Sequence, residues 1–241
     1  MATDQPELPT VWARPTRKRR EQPSLSREQI VSEAIQLLDA DGLEALSMRK
    51  LGARLNAGAT SMYTHVRNKE EIVELVVDEI FGELDIPSAA DAADWRAAAA
   101  RSTRSVRAAI LRHPWSAPVL GAAGTAYLGP NMMRLSDGLL ALFEAAGFAG
   151  EEADRAMDTL FAYAIGMSIS EAAMVTAIAR SGMSEQEWAA QLWPAARQAA
   201  KGYPRLERRY AEQSARGLGE GTADQFDAGV ERILDGLERR L

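Results

Sequence analysis

Tyr63 and His65 stand two residues apart in a polar stretch, with Ser61 before them and Lys69 after. A hydroxyl, a phenol, an imidazole and an ammonium at that spacing are donors suited to phosphate oxygens. Upstream, Ser47-Met48-Arg49-Lys50 offers a guanidinium that can read a base edge, with an ammonium beside it. Ala59 and Thr60 are small, which lets a helix approach base edges closely. Taken alone, Tyr63 and His65 could equally be polar surface at a helix end. Arg17-Lys18-Arg19-Arg20 has two readings. It is either a solvated tail or an arm that follows a phosphate backbone or enters a minor groove.

Other chemistries lack their residues. The 241-residue chain has no cysteine, and its two histidines, His65 and His113, are far apart in sequence. That leaves no disulfide framework, no thiolate site and no Cys nucleophile. No Glu-x-x-His pair or Gly-rich phosphate loop is present, so no metal, no cofactor and no enzymatic activity are expected. The net charge of −6 hides an asymmetry. Residues 1–69 carry 11 Lys and Arg against 8 Asp and Glu, whereas residues 70–241 carry 17 against 26. A polyanion would meet the front end only. No run of 18 uncharged apolar residues occurs, and no apolar segment follows the N-terminal cations. Neither a membrane span nor a secretory signal is expected, and the cytoplasm is the expected compartment.

The elements that must position these groups are helical. Residues 1–25, with four prolines among polar residues, read as a flexible basic arm. Ser26-Arg27-Glu28-Gln29 is a capping box that opens a helix closed by Gly42. Ser47 caps a second helix running to about Leu55, and Asn56-Ala57-Gly58 forms a tight turn before a short third helix from Ala59 to about His65. Asn68 caps the next helix, whose N3 residue is Glu71. The remainder reads as helices over 94–112, 131–146, 151–180, 185–201 and 222–241, with 206–221 polar and loosely specified. The fold class is all-α. A helix-turn-helix head over 26–70 is followed by a larger helical domain over 71–241.

Helix-turn-helix spacing occurs in many helical corners, but the longer string is specific. Ala34-x-x-Leu37-Leu38, Gly42-Leu43-x-x-Leu46-Ser47-Met48-Arg49-Lys50-Leu51-Gly52-x-x-Leu55 and Ser61-Met62-Tyr63-x-His65-Val66-x-Asn68-Lys69 together resemble the DNA-binding domain of the TetR (tetracycline repressor) family. Matching elements run from Ile30 to about Leu75. The stretch Phe226-x-x-Gly229-Val230-x-x-Ile233-Leu234-Asp235-Gly236-Leu237 is similar to the last helix of the tetracycline-repressor subgroup. The resemblance implies a one-component, ligand-responsive regulator, most often a repressor, that binds a palindromic operator as a homodimer and is released by a small molecule. It also implies that Arg49, with Met48 beside it, and Ala59 and Thr60 read bases, while Tyr63, His65 and Lys69 hold the backbone. Ala59-Thr60 replaces the tetracycline repressor's glutamine and proline, so a different operator is expected. No histidine can be placed where that repressor holds its magnesium chelate, so an apolar, uncharged or cationic effector without metal is expected.

Effector-lining candidates are Trp115, Phe143, Tyr163, Met167, Glu171, Met174 and Trp188, because Met and aromatic residues line adaptable cavities. Each could instead be core. Glu171, on a long apolar helix, would need a partner if buried. Ala162, Ala164, Gly166, Ser168 and Ala172 on that helix permit close helix–helix approach, either across a dimer seam or within one chain. The expected dimer interface is a four-helix arrangement of 154–180 and 222–241 from two copies. The second function class is a helical enzyme or interaction module that merely contains a helix-turn-helix. The first should lose DNA steeply with added salt; the second should show no specific retention.

Overall fold

Ser26 begins the fold as its sequence requires. In a computed structural model, its hydroxyl accepts from Gln29 N at 3.1 Å, and its own N donates to the Gln29 side chain at 2.9 Å. The structure describes residues 25–122, 128–215 and 218–241. The head contains α1 (Arg27–Asp41), a 3-10 turn at Leu43–Ala45, α2 (Met48–Arg54) and α3 (Ala59–Tyr63). Gly42, at φ 77°, closes α1, and Ser47 caps α2 by accepting from Lys50 N at 3.2 Å. Asn56 adopts the left-handed φ of 48° that the turn needs. A Cβ on buried Gly52 would lie 3.1 Å from the Ala57 carbonyl, so glycine there lets α2 and the turn close tightly.

α4 (Lys69–Phe81) connects head to body. Asn68 caps it by accepting from Glu71 N at 2.8 Å, while the Glu71 carboxylate reaches back one residue farther, to Arg67 N. The body follows as α5 (Trp95–Arg112), α6 (Ser116–Ala122), α7 (Pro130–Ala145), α8 (Gly150–Ser181), α9 (Glu185–Ala199), α10 (Pro204–Gln213) and α11 (Leu218–Glu238). No strand occurs among the described residues. The loosely specified stretch contains a real helix, α10, and α11 starts four residues before the expected Thr222.

The body core is layered around α8, which packs on α5, α6, α7 and α11. Trp95, Phe143 and Phe148 form an edge-on aromatic cluster at its base, with centroids 5.2–6.1 Å apart. Arginines of α5 pair with acids of α11: Arg96 with Glu231, Asp235 and Glu238, and Arg104 with Asp227. Only six α8 residues are buried: Ala153, Ala156, Leu160, Ala164, Ser168 and Ala172. They recur every three or four positions, the stripe of a single helix face. The other faces of this apolar helix stay largely open. Among the described residues, α8 alone is long and apolar enough by composition to cross a bilayer. The absence of a long uncharged run did not reveal this, because Glu171 interrupts α8.

Candidate nucleic-acid interface and effector region

Two short helices of the head and the start of α4 hold the candidate DNA-contacting groups. α2 presents Ser47 and Arg49 to solvent, with Met48 half-buried beneath them. Arg49 makes no hydrogen bond or ion pair among the described residues, whereas its neighbour Lys50 pairs with Asp41 at 2.7 Å. Asp41 is held below the usual carboxylate range by that lysine. α3 begins at Ala59, and its sole fully buried side chain among those described is Met62, which anchors the helix to the head core. Tyr63, the next residue of the helix, is 54% exposed. Ser61 and His65 are half-buried. Lys69 Nζ lies 3.3 Å from the Leu43 carbonyl, which ties α4 to the 3-10 turn and leaves two ammonium protons for other acceptors. Arg17, Lys18, Arg19 and Arg20 fall outside the described residues, as do the side chains of Ala59 and Thr60.

The seven effector candidates do not form one group. Phe143 is fully buried in the aromatic cluster with Trp95 and Phe148, a core position. Trp115 is buried at the start of α6, and its indole donates to Asp39 of the head at 2.7 Å. Tyr163 donates to the Phe226 carbonyl at 3.0 Å. Burial raises its phenol pKa. A Cβ on Gly229 would overlap the Tyr163 hydroxyl, so the glycine makes room for this α8–α11 staple. Glu171 receives both arms of the Arg107 guanidinium, at 2.7 and 2.6 Å, and the Thr222 hydroxyl at 3.1 Å. The Arg107 guanidinium also lies over the Phe226 ring. The partner that a buried Glu171 required is therefore Arg107, across the α5–α8–α11 seam. Met167 and Met174 are half-buried on the same side of α8. Trp188 is half-buried on α9, which packs chiefly on α10 and has no fully buried residue.

Two cavities flank Val106 of α5. One lies between α4, α5 and α6, bounded by Val77, Phe81 and Leu120. The other lies between α5, α7 and α8, bounded by Ser102, Leu139 and Phe161. Each offers only about 10 Å³ to the centre of a water molecule, so side chains must part before any larger molecule enters. The Ser116 hydroxyl, 1% exposed at the wall of the first cavity, has no hydrogen-bond partner. Sequence reasoning had no signal for Val106 or Ser116, since neither is aromatic, Met or charged. Among the described residues, no group of three or more His, Cys, Asp or Glu side chains is placed to hold a metal ion.

Asp78 clamps α4 to α7. Its carboxylate accepts from Asn131 N at 3.0 Å and Met132 N at 3.1 Å, and the Asn131 side chain donates to the Asp78 carbonyl at 2.9 Å. Burial pushes the carboxyl pKa up despite these bonds.

A helix-turn-helix head with an exposed guanidinium and phenol, carried on a helical body, defines a DNA-binding regulator. Residues 30–76 match the bacterial regulatory proteins of the tetR family, and residues 87–241 match the tetracyclin repressor-like C-terminal domain. The chain belongs to that family. It is 33% identical to the HTH-type transcriptional repressor DrrR1 of Streptomyces coeruleorubidus over 90% of this chain and 78% of that one. It is 38% identical to an HTH-type transcriptional regulator of Saccharopolyspora erythraea over 67% of each. Among solved structures, Streptomyces coelicolor ActR in complex with (S)-DNPA superposes with a TM-score of 0.74 at 27% identity, covering 91% of this chain and 100% of that one. ActR in complex with actinorhodin gives 0.72 at 28% identity, covering 90% and 96%.

Proposed function

We propose that this chain is a cytoplasmic, homodimeric repressor that binds a palindromic operator and is released by a small apolar molecule. The observation that carries the reading is the pairing of Arg49 and Tyr63, exposed on adjoining helices and without partners among the described residues. Arg49 suits a base edge and Tyr63 a phosphate. Ser47, Met48, Ala59, Thr60, Ser61, His65 and Lys69 flank them, and the cationic run 17–20 adds phosphate contacts.

The dimer follows from α8. Its buried stripe is spent on its own body, while Ala162 and Gly166 lie on the open side, where small residues allow a second helix to come close. Membrane insertion is disfavoured because Glu171 is already paired with Arg107, and removing that partner would leave a bare charge in the span. An isologous seam of α8 and α11 from two copies would set two recognition helices about one DNA turn apart.

The effector reading centres on Val106. ActR binds actinorhodin and (S)-DNPA, as its complexes record. In this chain an apolar molecule would enter where the two small cavities meet that side chain, with Ser116 as its hydrogen-bond partner. Phe143, Tyr163 and Glu171 are already committed to packing, and Met167 and Met174 lie farther along α8 than the residues that border these cavities. No metal ligand takes part, so magnesium should not change effector affinity. Selection of bound fragments from the source genome tests the reading. A palindromic consensus whose binding weakens steeply with salt is expected; fragments retained without sequence preference would refute it.

A further inference from the structure

Asp39 belongs to the head, in the last turn of α1, yet two donors from the body converge on one of its oxygens. Oδ1 lies 2.7 Å from Nδ1 of His113 and 2.7 Å from Nε1 of Trp115. The other ring nitrogen of the same histidine is also taken. Nε2 lies 3.2 Å from Oε1 of Glu83, in the turn after α4. The second Glu83 oxygen pairs with Arg112 of α5. His113 is 4% exposed and forms the C-cap of α5, and its carbonyl accepts from Ser116 N at 2.8 Å to start α6. A single imidazole therefore touches the head, the end of the connector and the α5–α6 hinge. Neither the DNA-reading face nor the Val106 cavities use it.

The chemistry of the contact is restrictive. An ionised carboxylate only accepts hydrogen bonds, so both ring nitrogens must carry protons for both contacts to be bonds. A neutral ring donates to Asp39 or to Glu83, never to both, and turns a lone pair toward the remaining carboxylate. The charged groups in contact with the ring are Asp39 from α1 and Glu83 from the end of the connector. Arg112, from the ring's own helix, partly neutralises Glu83.

We propose that Asp39 is a positioning residue through which the body fixes the attitude of the DNA-binding head, and that its grip through His113 is proton-linked. This rests on the reading that the head binds DNA and the body controls it. The imidazolium closes the latch on both sides, and loss of one proton releases one side. Because α6 starts from the His113 carbonyl and walls the cavity that holds Ser116, a shift of α6 would pull on the same latch.

The natural absence of cysteine permits a direct test. Spin labels at Glu44→Cys in the head and Asp137→Cys in α7, in labelled chains diluted with unlabelled ones, report the head-to-body distance by pulsed electron resonance without DNA. On lowering the pH from about 8.5 to about 5.5, the distance distribution should narrow. The narrowing should persist in His65→Gln and vanish in His113→Gln. Asp39→Ala should remain broad throughout, whereas Glu83→Ala, which leaves a neutral ring free to donate to Asp39, should lose the pH dependence. An unchanged distribution in the wild-type chain, or the same narrowing in His113→Gln, overturns the proposal. Operator binding by the same labelled chain is measured separately. Narrowing without any operator binding would support the latch and remove the reading of the head as a DNA-binding unit.

Discussion

The head and the body solve the same packing problem to different degrees. In the head, Ile30, Leu37, Leu51, Met62 and Val66 are all 0% exposed, so its core closes within one chain. In the body, α8 buries little beyond alanines and Leu160, and leaves Ile165, Ile169 and Ile178 half-covered. A closed small core frees the head's outer surface for polar groups that meet a ligand as large as DNA. The body also has a fully buried core, at Leu135, Leu142, Phe143, Val230 and Leu234, and it is the outer faces of α8 that are left open. The difference teaches what each unit offers to a partner: polar groups on the outer surface of the head, and an open apolar helix face on the body.

The sharpest way to break this comparison is Gly166→Arg. A Cβ at Gly166 meets nothing within 4 Å in one chain, so a monomer should tolerate the change. If the open face of α8 is the seam, light scattering should show monomers, and operator affinity should fall by roughly 10²–10⁴-fold through loss of bivalent binding. A dimer of unchanged mass and affinity would place the seam elsewhere. Next in size, Glu171→Ala should cost about 3 kcal/mol in urea unfolding, because it strands Arg107 in a site where the two side chains are 10% and 20% exposed. Replacing both by apolar residues of similar volume should recover most of that loss.

On the head, Arg49→Ala should cost roughly 1–3 kcal/mol of operator affinity and relax preference at one base position. Tyr63→Ala should weaken all sequences about equally, which competition against scrambled DNA would reveal. Removing residues 1–20 should lower affinity and flatten the salt slope without changing the consensus. Ser26→Ala should cost only about 1 kcal/mol of stability, the ordinary worth of an N-cap.

The smallest expected effect is on pH dependence. Because burial raises the Asp78 pKa, the folded state holds that proton more tightly than the unfolded chain does. Its contribution to stability is therefore full below the unfolded pKa and is lost as pH rises through the folded one. Asp78→Asn keeps an oxygen for Asn131 N and removes the charge. Relative to wild type, it should be less favourable at pH 4 than at pH 7, which urea titrations at the two pH values would detect.

Local signals made most elements legible. Ser26, Ser47 and Asn68 start their helices as capping chemistry requires, and Gly42 ends one because glycine tolerates positive φ. Those interactions span only a few residues, so the sequence contains all of their partners. The polar segment before α11 was not legible, because α10 lacks a buried face to impose an apolar period on it. The apolar and aromatic candidates of the body were legible only as a pool. Composition cannot tell a cavity wall from a core position, and Phe143 and Val106 differ in what lies across from them.

From the sequence alone came the all-α class, the head with its helix-turn-helix, the cationic and phenolic groups on it, and the need of Glu171 for a partner. Tertiary structure decided which arginine that partner is, that Tyr163 is a staple fitted against Gly229, and that Ala164, Ser168 and Ala172 pack inward while Ala162 and Gly166 do not. It also brought Asp39, Glu83 and His113 together, residues from the head, the connector's end and the body. Local interactions are fixed by neighbours a few residues away. Contacts between residues 30–76 positions apart depend on how whole helices pack, and no short window of sequence contains that information.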